Sequence, residues 1–104
     1  MSFAAPVSEA RAALIAAEGR PCPYCGAAMR DVRPPTRDHI LARSRGGGDG
    51  AVNIAIVCSP CNNDKGDKTL DEFAAALSLG GDPRAPRVRA FLARWALATT
   101  EGTT

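Results

Sequence analysis

The sequence predicts an α+β fold: a two-stranded hairpin flanked by helices, in the order helix, strand, strand, helix, helix. Three observations predict it. A β-branched run at 51–57 reads as a buried strand. Apolar residues recur at helical spacing in several other segments. Four cysteines stand in two pairs, Cys22-Pro-Tyr-Cys25 and Cys58-Ser-Pro-Cys61. A chain of 104 residues suits one domain, 1–104, which buries only a modest share of its surface. Much of its 45% apolar content is alanine, and the aromatics are Phe3, Tyr24, Phe73, Phe91 and Trp95. So thin a core needs an added staple.

Ser8 can cap a helix over 9–18 that Gly19 ends, within an N-terminal helical segment at 1–20. Its apolar positions Ala10, Ala13, Leu14 and Ala17 share one face. Pro21 opens the first cysteine knuckle. Pro34 and Pro35 interrupt any strand before them, and a short strand is expected over 36–41. Residues 46–50, Gly-Gly-Gly-Asp-Gly, read as a flexible loop. The strand at 51–57, with Asn53 at its opening, leads into Cys58. A helix from Ser59 or Pro60 carries Cys61 to Lys65, and Gly66 breaks or bends it. Thr69 with Glu72 makes a capping-box pattern for the next helix, whose stripe is Leu70, Phe73, Ala74 and Leu77. Gly80 and Gly81 end it. Pro86 suits the first turn of a last helix, 83–99, with the stripe Val88, Phe91, Leu92 and Trp95. Both stripes read as core rather than as a ligand site.

Two CxxC turns let four thiolates converge on one ion, and tetrahedral zinc takes four soft ligands. The closed shell leaves no open position, so Zn²⁺ at Cys22, Cys25, Cys58 and Cys61 is structural. The competing chemistries are a redox dithiol and two disulfides. Neither pair follows a thioredoxin-type pattern, and a reducing compartment disfavours disulfides. The opening residues lack a basic start, and Glu9, Arg11 and Glu18 interrupt their apolar run. No stretch is long enough to span a membrane. The expectation is a cytoplasmic protein with no membrane partner.

Net charge is only +2, but it is unevenly distributed. Arg30, Arg33, Arg37, Arg43 and Arg45 stand against Asp31 and Asp38 alone, and Arg84, Arg87, Arg89 and Arg94 form a second basic stretch. Such patches suit a polyanion, and equally suit a solvated surface.

The long loop between the cysteine pairs holds the one histidine, His39, directly after Asp38. The ordered set Asp38-His39-Ile40, Ser44-Arg45-Gly46-Gly47, Asn53-Ile54, Cys58-Ser-Pro-Cys61-Asn62 and Lys65-Gly66 resembles the HNH endonuclease motif with its zinc-binding CxxC pairs. The resemblance covers residues 22–74. It implies a ββα-metal core, or His-Me finger, with a second metal held between hairpin and helix. By position, His39 matches the general base and Asp38 the metal-binding carboxylate before it. Asn53 matches the middle Asn, which holds the loop and orients the base. Asn62 takes the third position, where the family often has His, so the chain is an HNN variant. An amide oxygen suits Mg²⁺ or Mn²⁺. The resemblance implies metal-dependent cleavage of DNA, leaving a 5′ phosphate and a 3′ hydroxyl, by a bacterial or phage-encoded enzyme. That enzyme acts alone, as a homodimer or in a larger nuclease assembly.

Arg43, Arg45 and Lys65, with Arg37 as a weaker candidate, are expected to contact phosphates, since arginine binds them bidentately. One tension stands: in a regular strand Asp38 and His39 face opposite sides, and both reach one phosphate only if the chain bends or ends there. The competing readings are a zinc-dependent nucleic-acid-binding module without catalysis, a partner-binding protein docking through the Trp95 helix, and a thiol oxidoreductase.

Overall fold

The computed structural model describes residues 8–101, so Phe3 and the start of the segment 1–20 lie outside the described residues. The first helix, α1 (Glu9–Ala17), starts at Ser8, whose hydroxyl accepts from the Arg11 amide at 3.2 Å. It packs against both strands of the hairpin. Its buried stripe is narrower than the spacing suggests: Ala17 is buried, whereas Ala13 faces solvent. Gly19 turns the chain at φ +81° into the first knuckle, where Pro21 bridges Ala28.

The hairpin pairs β1 (Pro35–His39) with β2 (Ile54–Cys58), antiparallel, in register from Pro35 opposite Cys58 to His39 opposite Ile54. Proline is tolerated at the first position of a strand, so β1 begins one residue earlier than expected. It also ends two residues earlier. The Ile40 amide still donates to the Asn53 carbonyl, but the Leu41 amide is taken by the Asn53 side chain. Asn53 corrects a second expectation. Residues Ala51–Asn53 form a 3-10 turn rather than the start of β2, and Val52 is exposed.

A second 3-10 turn, Arg43–Arg45, precedes the glycines. The loop they form is not slack. A Cβ at Gly47 would lie 1.7 Å from the Leu41 carbonyl oxygen, so any side chain there displaces backbone.

Three helices follow the hairpin, in the three segments where the sequence places them. Helix α2 (Ser59–Lys65) lies against both strands. Gly66, at φ +57°, ends it outright rather than bending it. Helix α3 (Leu70–Leu79) opens on the complete Thr69–Glu72 capping box, and α4 (Ala85–Glu101) packs along it. The α3 stripe Leu70, Phe73, Ala74 and Leu77 is wholly buried. On α4, Val88 is buried, while Phe91, Leu92 and Trp95 pack half-buried at the margin. The centre of the core is Tyr24, set edge-on to Phe73 and Phe91 at centroid distances of 5.9 and 5.4 Å. Tyr24 sits between the two cysteines of the first knuckle, so core and cysteine cluster form one body. No described helix is long and apolar enough to cross a membrane.

Candidate active site and cysteine cluster

The two knuckles bring the four cysteine sulfurs within 4.8 Å of one another. The Sγ atoms of Cys25 and Cys58 are 3.8 Å apart. A tetrahedron with zinc–sulfur bonds of about 2.3 Å has edges of about 3.8 Å, so the cluster has the size that holds one zinc ion. No two of the four cysteine sulfurs are bonded to each other. The amides of Tyr24 and Cys58 each donate to Cys22 Sγ at 3.4 Å. With the stronger hydrogen bond from the Cys61 thiol, they draw Cys22 well below the usual thiol range, against the opposing effect of burial. Two arginines complete the surroundings. Arg84 donates to Cys61 Sγ at 3.4 Å, and Arg33 approaches Cys58 Sγ at 3.8 Å. Both offset the negative charge of a thiolate cluster, and neither is signalled by spacing in the sequence.

Beside the cluster, a shallow cleft of about 200 Å³ is lined by Arg37, Asp38, His39, Arg43, Asn62 and Asp67, among others. His39 closes β1 and is half-exposed. Its Nε2 lies 2.8 Å from Oδ1 of Asp49, in the glycine loop. That hydrogen bond, aided by Arg43, holds the Asp49 carboxyl below the usual carboxylate range. Asn53 fixes the loop. Its Oδ1 accepts from the Leu41 amide at 2.9 Å, and its Nδ2 donates to the carbonyls of Leu41 and Gly48 at 3.0 and 2.8 Å. Asn62, on α2, spends its Nδ2 on Thr36 Oγ1 and the Arg37 carbonyl, at 3.1 and 3.3 Å. Its Oδ1 has no hydrogen-bond donor among the described residues.

Asp38 points the other way, into the core, at 2% exposure. Its Oδ2 accepts from the Tyr24 hydroxyl at 2.7 Å and its Oδ1 from the Lys65 ammonium at 3.2 Å. Burial pushes its carboxyl above the usual range, and these two partners oppose that shift. The strand thus keeps its alternation, and Asp38 and His39 border one cleft only because β1 ends there.

The expected phosphate contacts divide. Arg37 and Arg43 rim the cleft and are exposed. Arg45 turns to α3, gripping Glu72 through both guanidinium nitrogens at 2.8 and 3.4 Å. Lys65 is a correction: it is fully buried, donating to Asp38 and to the His39 carbonyl at 3.0 Å. An unpaired charge at that depth costs about 3–5 kcal/mol, which explains why Asp38 and Lys65 are held as a pair. Sequence reasoning also passed over Tyr24 and Asp49.

Of the two expected cation ligands, Asn62 offers its amide oxygen at the cleft, a donor that suits a hard cation, whereas the Asp38 carboxylate is held in the core by Tyr24 and Lys65.

Residues 22–68 match the family model for HNH endonuclease. They form an HNH-family domain. Members of this family are generally nucleases, acting on DNA. No curated protein and no solved structure matches the chain. The HNH domain spans both knuckles, the hairpin, α2 and every residue singled out at the cleft; α1, α3 and α4 lie outside it.

Proposed function

We propose that the HNH domain hydrolyses DNA phosphodiester bonds, with His39 as general base. The observation that supports this most is the cleft itself: His39, Asp38 and Asn62 line one cavity, in a domain whose four cysteines cluster at zinc dimensions. Asp49 accepts a hydrogen bond from Nε2–H of His39, which leaves the lone pair on Nδ1 to take a proton from water. A neutral imidazole serves this role in general base catalysis. Asn53 immobilises the loop that carries Asp49, and so positions the base indirectly. Asn62 would hold Mg²⁺ or Mn²⁺ through its amide oxygen, with Asp38 joining it once the carboxylate turns from Tyr24 and Lys65 to the cleft. When bound, the ion supplies charge neutralisation at the scissile phosphate and at the departing 3′ oxygen. Arg37 and Arg43 on the rim orient the flanking phosphates. Zn²⁺ on the four cysteines holds the knuckles together and takes no part in the chemistry.

The pairing of Asp38 with Lys65 and Tyr24 favours a second reading, a zinc-dependent nucleic-acid-binding module without catalysis. A plasmid assay separates the two. Zinc-loaded protein with Mg²⁺ or Mn²⁺ is expected to convert supercoiled plasmid to open circles that DNA ligase reseals, since ligase requires a 5′ phosphate beside a 3′ hydroxyl. Folded, zinc-loaded protein that binds plasmid yet leaves it supercoiled with either ion supports the binding module instead.

A further inference from the structure

Helix α4 lies outside the HNH domain and carries a charge that the cleavage cleft does not use. From residue 83 to residue 100 the chain holds four arginines and no acid. Arg84 is committed to Asp82, Asp64 and Cys61. Arg89 donates to Ser78. Arg87 and Arg94 differ. They share one cleft of about 460 Å³ with Pro21 and Pro23 of the first knuckle and Pro86 and Ala90 of the helix. Both are exposed, and among the described residues neither forms an ion pair.

Each guanidinium nevertheless has one packing contact. That of Arg87 lies across the knuckle turn, where a Cβ on Gly26 would come within 2.8 Å of its Cζ. Gly26 stands at φ +80°, so the residue that makes the turn also makes room for the guanidinium. Arg94 rests on the Phe91 ring, with its Cζ 5.9 Å from the centroid. Two exposed cations without carboxylate partners keep their charge available to a polyanion. Seven helical residues separate them by about 10 Å along the axis. That spans on the order of three base-pair steps at 3.4 Å each.

We infer that Arg87, Arg94 and the first knuckle form a second nucleic-acid contact, which grips the backbone of duplex DNA away from the cleaved phosphate. This rests on the reading that the chain acts on DNA, and it adds where the flanking duplex lies. The competing role for Arg87 is structural, as a counter-charge for the cysteine cluster.

The test is binding of a labelled 30-base-pair duplex to zinc-loaded protein without Mg²⁺, over a range of salt, with zinc content measured in parallel. For R87Q/R94Q the expected result is at least tenfold weaker binding, full zinc content, and a log K against log salt slope shallower by about 1.8, at about 0.9 for each phosphate no longer neutralised. R89Q, off this cleft, is expected to change the slope little. R87K/R94K keeps the charge and is expected to keep most of the slope. An unchanged slope in R87Q/R94Q overturns the inference, as does an equal loss in R89Q. If R87Q/R94Q loses its zinc, R94Q alone decides: a zinc-loaded R94Q with a slope shallower by about 0.9 supports the contact, and one with the wild-type slope overturns it. Nicking by wild type with no change of slope in R87Q/R94Q sinks this inference alone. DNA binding through these arginines without nicking sinks the catalytic reading alone.

Discussion

Cys58→Ser is expected to yield a chain that is unfolded at 25 °C, with no helical melting transition and less than one zinc per molecule. Cys58 is fully buried at the junction of β2 and α2. Its amide donates to Cys22 Sγ, so the residue ties the hairpin and α2 to the other knuckle by backbone as well as by side chain. Apparent zinc binding contributes on the order of 10 kcal/mol at neutral pH. A whole domain is stable by roughly 5–15 kcal/mol. The apolar core here is built around one tyrosine, two phenylalanines and small aliphatics, and it has little stability to spare. Loss of a single thiolate therefore removes most of what keeps the chain folded. Circular dichroism melting with zinc analysis checks this, and a melting curve equal to that of wild type refutes it.

His39→Ala is expected to slow DNA cleavage by about 10²- to 10⁴-fold, the usual contribution of a positioned general base. Folding and zinc content should be unchanged. His39 ends its strand, is half-exposed, and spends its ring on an exposed aspartate in a loop that Asn53 holds independently. Added imidazole should restore part of the rate, since the cavity left by the ring opens on solvent. A variant that cleaves at the wild-type rate refutes the assignment of the base.

What was legible in the sequence was what depends on near neighbours. The α3 start is a case: Thr69 and Glu72 satisfy each other's backbone within one turn, so the pattern alone carries it. The cysteine knuckles are another, because each pair closes over a tight turn. The hairpin and the stripe of α3 followed from periodicity. Lys65 was not legible. It follows Asn and Asp in a polar run, and its partner Asp38 lies 27 residues away in the chain. Only the crossing of α2 over β1 puts the two together. Asp49 was hidden because a glycine-rich loop has no period from which a direction can be read, and its role depends on where Asn53 pins that loop. Residues 51–53 misled through composition: they carry strand-forming character, yet Asn53 turns back onto Leu41 and Gly48 and draws the segment into a 3-10 turn.

The central claim is that the cleft between β1 and α2 holds a divalent cation on Asp38 and Asn62. Paramagnetic broadening by Mn²⁺ in the NMR spectrum of zinc-loaded protein tests it most directly. At substoichiometric Mn²⁺, the amide signals of Asp38, His39, Asn62 and Gly66 are expected to broaden first, and Asn62→Ala should abolish that selectivity. Broadening that spreads evenly over the acidic surface, or that is the same in Asn62→Ala, would contradict it.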